Sequence, residues 1–98
     1  MNRILLLEDE ENLNRGISLK LEKEGYHVLA ACGIGQGMEL FKSNTVDLII
    51  CDITLEDGNG LDFCREIREM SQVHFIFLTA LDQEMEVVMG YEAGADDY

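Results

Sequence analysis

The chain has 98 residues, enough for one small domain that buries roughly 60–70% of its unfolded surface. At 47% apolar residues and a mean hydropathy of -0.03 it is too hydrophobic to be disordered. No apolar run approaches a membrane span, and the short Ile4–Leu7 stretch after Arg3 does not make a signal peptide. Twenty acidic against seven basic side chains give a net charge of -13, which excludes autonomous binding to a nucleic-acid backbone and fits a cytoplasmic protein without a membrane partner.

Arg3–Leu7 is a short apolar run without alternation, as expected of a strand buried on both faces. Four acids, Glu8 to Glu11, interrupt it. Leu13, Ile17 and Leu21 then recur every four residues and Gly25 supplies a stop, so residues 12–24 read as a helix with that stripe inward. His27–Ala31 is a second strand. Glycines 33, 35 and 37 blur the start of the next helix, whose apolar face holds Met38 and Phe41 and which ends near Ser43. Residues 47–51 form the most apolar strand, running into Asp52. Residues 53–60 are turn-rich, ending Asp57-Gly58-Asn59-Gly60. Leu61, Cys64 and Ile67 space as a third helix to about Met70. His74–Leu78 is a fourth strand closing on Thr79, Asp82 caps a fourth helix stopping at Gly94, and residues 95–98 begin a fifth strand.

Strands and helices alternating through short links specify a parallel sheet with helices on both faces. In such sheets ligands collect beyond the carboxyl ends of the strands. Strand 1 ends in Glu8-Asp9, strand 3 in Asp52 and strand 4 in Thr79. If strands 1 and 3 are neighbours, Asp9 faces Asp52 across one crevice. Carboxylates crowded there repel, and Mg²⁺, with oxygen ligands and retained waters, would relieve them. Cys32, Cys51 and Cys64 are odd in number and irregular in spacing, so they read as reduced, buried small hydrophobes.

These pieces resemble the receiver domain of bacterial two-component response regulators. The match runs through Ile4-Leu5-Leu6-Leu7-Glu8-Asp9, Asp47-Leu48-Ile49-Ile50-Cys51-Asp52, the loop from Asp52 to Gly60, Phe77-Leu78-Thr79-Ala80 and Gly94-Ala95-Asp96-Asp97-Tyr98. The last piece is common in regulators with a winged-helix DNA-binding domain. The resemblance implies a flavodoxin-like doubly wound sheet of strand order 2-1-3-4-5. It implies that Asp52 takes a phosphoryl group from the phosphohistidine of a sensor histidine kinase. It also implies Mg²⁺ on Asp9, Glu8, Asp52 and the Thr54 backbone carbonyl. Thr79 would hydrogen-bond the phosphoryl group, small Ala80 would leave it room, and the Tyr98 ring would turn inward with Thr79. Thr54 and Leu81 would lie at the rim.

Two departures stand out. The family usually has Pro at the position of Glu56, so this loop is expected to be more mobile. The family's Lys lies three residues past the aromatic that Tyr98 matches, where the sequence has ended. Residues 1–98 are thus expected to be one receiver domain without the rest of its fifth strand and fifth helix. Such a chain is expected to self-associate, and to reach DNA only through an effector domain outside it.

The expected role is a switch and not an enzyme. The alternatives are a stand-alone receiver without DNA-binding output and an aspartyl-nucleophile phosphatase. The phosphatase needs a second Asp two residues past the nucleophile, where Thr54 stands. A calcium loop around Asp57-Gly58-Asn59-Gly60 would put Ile53, Leu55 and Cys64 at ligand positions that require oxygen donors. His27 and His74 at strand starts, and Met38, Met85, Met89 and Tyr91 on helices, read as structural.

Overall fold

The structure, a computed structural model, describes residues 2–78. Strands β1 (Arg3–Leu7), β2 (His27–Ala31), β3 (Leu48–Asp52) and β6 (His74–Leu78) form a parallel sheet in the order β2-β1-β3-β6. Helices α1 (Glu11–Lys23), α2 (Ile34–Ser43) and α3 (Gly60–Met70) connect them, and two two-residue strands, β4 (Thr54–Leu55) and β5 (Gly58–Asn59), pair antiparallel between β3 and α3. The order is the expected one, with β6 in the place of the fourth strand. The expected fourth helix and fifth strand lie outside the described residues.

This order fixes where the helices go. The chain steps outward from β1 to β2, then back across β1 to β3 and on to β6, and parallel crossovers are right-handed. The reversal therefore puts α1 on one face and α2 and α3 on the other. Alternate strand residues follow suit. Leu5, Ile49 and Phe75 lie in register across the sheet, as do Leu7, Cys51 and Phe77, and all six are buried in one cluster with Phe63, Cys64 and Ile67 of α3. Phe75 anchors it, its ring centroid 6.1 Å from Phe63 and 5.0 Å from Phe77, spacings at which tilted aromatic pairs attract. Met38 and Phe41 of α2 pack against the same cluster. On the opposite face Ile4 and Leu6 are buried.

The face of α1 differs from the expected one. Leu13 is 48% exposed, and the buried residue of the helix is its neighbour Asn14. Ile17 and Leu21 of the expected stripe are half-buried, and only the first turn departs from it, because Asn14 has backbone to satisfy. Its Nδ2 donates to the Glu8 carbonyl at 2.9 Å and the Ala31 carbonyl at 3.0 Å, and the Glu8 N–H also donates to Ala31 O at 3.1 Å. The ends of β1 and β2 are pinned together just before the chain leaves the sheet. Two smaller expectations also shift. Cys51 and Cys64 are buried, but Cys32 is exposed. The third strand begins at Leu48 because Asp47 is occupied with Arg3, whose N–H donates to Asp47 Oδ2 at 2.7 Å.

Replacing Asn14 by Ala would remove both bonds and leave the Glu8 carbonyl without its side-chain donor. Such a loss costs about 1–3 kcal/mol, and urea denaturation of Asn14→Ala should show it. An unchanged midpoint would mean that water replaces the amide at no cost.

Candidate functional site

The run Glu8 to Glu11 distributes its four carboxylates among separate tasks. Glu10 is the N-cap of α1, accepting from the N–H groups of Asn12 at 3.2 Å and Leu13 at 2.8 Å. Glu11 lies in the first helical turn, where negative charge complements the helix dipole. Glu8 and Asp9 remain for the sheet edge. Since Leu7 pairs with Cys51 and Asp52 with Leu78, the residue after β1 arrives beside the last residue of β3. Glu8, Asp9 and Asp52 thereby bring one carboxylate oxygen each to within 4.8 Å of one another.

The three carboxylates are not equivalent. Glu8 is buried, while Asp9 and Asp52 are half-buried. Glu8 Oε1 accepts the Glu10 N–H at 3.1 Å, and its buried Oε2 has no hydrogen-bond partner among the described residues. Burial first, then the nearby Asp52 carboxylate, pushes the Glu8 pKa up from 4.5 to about 7, with Asp9 adding to the repulsion. A protonated Glu8 could share its proton with Asp52; a charged Glu8 needs a cation. The orphaned Oε2 and the hard oxygen donors on three sides fit Mg²⁺. Among the described residues no basic side chain pairs with any of the three.

Asp9 is held from the loop that follows β3: its Oδ2 accepts the Glu56 N–H at 2.9 Å. The next residue, Asp57, reaches across to α2, where its Oδ1 and Oδ2 accept the N–H groups of Ile34 at 2.8 Å and Gly35 at 3.1 Å. These two donors hold its carboxyl below the usual range. The N-cap of α2 is Gly33, which offers no side-chain oxygen, and a Cβ there would come within 2.7 Å of Asp57 Oδ1. Gly60, at the start of α3, packs so closely behind the end of β3 that a Cβ would collide with the Asp52 carbonyl oxygen. The Cys51 thiol beside Asp52 is pushed up, by burial first and then by the charges of Asp52, Cys64 and Glu8, and so stays protonated.

Glu8, Asp9 and Asp52 are thus brought together as expected from the strand ends. Thr54 is exposed at the start of β4. Thr79, Ala80, Leu81 and Tyr98 lie outside the described residues, as do Met85, Met89 and Tyr91. His27 and His74 are exposed at strand starts. Three contributors escape sequence reasoning: Asn14, the Glu56 amide and Asp57. Only Asp57 left a signal, since a helix opening on glycines with no Ser, Thr, Asp or Asn cap must find its acceptor elsewhere.

The chain matches the family described as the response regulator receiver domain over residues 4–98. It is 44% identical over 98 residues to the response regulator ArlR of Staphylococcus saprophyticus and 37% identical over 98 residues to the transcriptional regulatory protein AfsQ1 of Streptomyces coelicolor. It covers 100% of this chain and 44% of the relative in both cases. Among solved structures it superimposes on the receiver domain of the TMAO respiratory system regulator TorR with a TM-score of 0.94 at 35% identity, covering 100% of this chain and 82% of that one. It also superimposes on TrrA of Thermotoga maritima, solved in complex with Mg(2+)-BeF, with a TM-score of 0.89 at 32% identity, covering 100% and 84%. The chain belongs to the response regulator receiver family. It spans less than half the length of these two curated relatives. No helix among the described residues is long and apolar enough to cross a membrane.

The raised Glu8 pKa has a signed consequence for the metal-free protein. Between 4.5 and about 7 the folded chain keeps a proton that the unfolded chain has released, so stability should fall as pH rises through that window and level off above it. Asp57 acts oppositely and lower: its contribution is present above 3.8 and lost as pH falls through its depressed pKa. Urea denaturation in chelator at several pH values should show the first slope in the wild type. In Glu8→Gln that slope should flatten.

Proposed function

We propose that the chain is a phosphorylation switch in which Asp52 accepts a phosphoryl group from the phosphohistidine of a sensor histidine kinase. The observation that carries this is the meeting of Glu8, Asp9 and Asp52 at the carboxyl edge of β1 and β3. An Asp52 carboxylate oxygen attacks phosphorus and forms an acyl phosphate. The phosphorus–nitrogen bond breaks, and its electron pair stays on the imidazole. Glu8, Asp9, Asp52 and the Thr54 carbonyl would hold Mg²⁺, which supplies charge neutralisation for the incoming dianion. Asp9 and Glu8 orient that neutralising charge beside Asp52, and Gly60 fixes the Asp52 backbone.

In the same proposal Thr79 donates a hydrogen bond to the bound phosphoryl group, Ala80 leaves it space, and Tyr98 turns inward with Thr79. Thr54 and Leu81 line the rim. The protein works in the cytoplasm, as a switch and not as an enzyme with a substrate of its own. Its output is transcriptional, through a DNA-binding effector domain outside residues 1–98, with a homodimer as the active state. The transcriptional regulators among its relatives favour this over a stand-alone receiver. Thr54 in place of a second Asp disfavours a phosphatase.

Incubation with a small acyl phosphate donor and Mg²⁺, followed by borohydride trapping, should label Asp52 alone. Asp52→Asn should carry no label, and Asp9→Ala should lose the Mg²⁺-dependent part of the reaction. Label in Asp52→Asn at the wild-type level would overturn the assignment, as would a wild type that takes no label.

The rim gives a second test. An apolar Leu81 should hinder the water that hydrolyses the acyl phosphate, so Leu81→Asn should speed dephosphorylation and leave Mg²⁺ affinity unchanged. An equal rate in the two proteins would remove Leu81 from the rim.

A further inference from the structure

We infer that the backbone N–H of Glu56 makes Asp9 a one-oxygen ligand and so tunes the site toward a small octahedral cation and away from a larger one. The inference rests on the reading that Glu8, Asp9 and Asp52 hold Mg²⁺. Its starting point is that Asp9 Oδ2 is engaged by the Glu56 amide at 2.9 Å, which leaves Oδ1 as the oxygen uncommitted among the described residues. An oxygen that already accepts an N–H is the weaker and less freely oriented donor to a cation, so a carboxylate tied this way favours binding through its other oxygen. Mg²⁺ accepts that geometry, whereas Ca²⁺ favours more ligands and often takes both oxygens of a carboxylate.

The amide is a fixed donor because the loop around it is anchored on both sides. Behind it the Gly60 N–H donates to the Ile53 carbonyl at 2.6 Å, and β4 pairs with β5 through Thr54 with Asn59 and Leu55 with Gly58. Ahead of it the Asp57 carboxylate grips two amides of α2, in a space that Gly33 leaves free of a Cβ. Residue 56, where the family usually has Pro, donates a bond that an imino acid cannot make. Glu56 is therefore a positioning residue that acts through its main chain, and its side chain is exposed.

Calorimetric titration with Mg²⁺ alone and with Ca²⁺ alone, on wild type, Glu56→Gln and Glu56→Pro, separates backbone from charge. Glu56→Gln keeps the N–H and removes a negative charge, so it should weaken both cations alike and modestly. Glu56→Pro also removes the N–H, and it should lose a further factor of about ten in Mg²⁺ affinity, the low end for a hydrogen-bond partner of a metal ligand, with Ca²⁺ held at the Glu56→Gln level. Equal affinities in Glu56→Pro and Glu56→Gln, or equal losses for the two cations, would overturn the inference. A wild type that binds no Mg²⁺ would instead overturn the site itself.

Should Glu56→Pro fail to fold, hydrogen exchange at the Glu56 amide of the wild type decides the matter. Protection that persists at saturating Mg²⁺ supports the one-oxygen geometry. Protection lost when Mg²⁺ binds overturns it.

Discussion

Three carboxylates at one strand edge repel each other, and much of the local structure is arranged to hold them there. A parallel register that sets Leu7 beside Cys51 leaves the following residue nowhere to go but next to Asp52. Asn14 then fastens that turn by gripping the Glu8 and Ala31 carbonyls, and Gly60 lets α3 start against the Asp52 backbone. Without a cation this edge is costly: Glu8 is driven toward neutrality, and its Oε2 faces no donor among the described residues. The apolar cluster under the sheet, with Phe63, Phe75 and Phe77 at its centre, stabilises a fold that its own site opposes. Strain of this kind is expected where function requires groups that packing alone would not place together.

The strands were legible because each writes a short apolar run bounded by polar or turn residues, and Arg3–Leu7, His27–Ala31 and His74–Leu78 stand where the residues indicated. Glu8-Asp9 and Asp52 were legible for the same reason, being the first polar groups past such runs. Helix α1 was harder. Its leucines repeat correctly, yet a buried Asn14 satisfying two carbonyls outranks an apolar neighbour, and no periodicity scale rewards an amide for that. The loop after β3 was least legible. Its bonds run from residue 56 to residue 9 and from residue 57 to residues 34 and 35. Sequence separation hides such pairings, and each of them is donated by a main-chain N–H that carries no residue identity at all.

Capping shows how the loop and the sheet edge became one unit. Helix α2 opens on Gly33 and needs an acceptor for its first amides; Asp57 supplies both oxygens from another element. A local Ser or Asp at the N-cap would satisfy the helix equally well, but it would leave the loop free. Borrowing the cap from residue 57 ties the loop to α2, and the adjacent peptide ties it to Asp9. The position of a candidate metal ligand is therefore set partly by the start of a helix that contributes no ligand among the described residues.

Charge gives the last step. The chain carries -13 overall, and the two bases of α3 are engaged away from the carboxylates: Arg65 pairs with Asp62 at 3.0 Å, and Arg68 donates to the Val73 carbonyl at 2.5 Å. A phosphoryl dianion approaching Asp52 would meet a field of its own sign from three carboxylates, with no paired base among the described residues to soften it. In a half-buried site that repulsion is screened far less than at the surface. A divalent cation seated between Glu8, Asp9 and Asp52 would reverse it locally while leaving the remainder of the surface acidic. Among the described residues, the acidic cluster of Glu8, Asp9 and Asp52 is thus the place where a hard divalent cation would do most to lower the local negative potential.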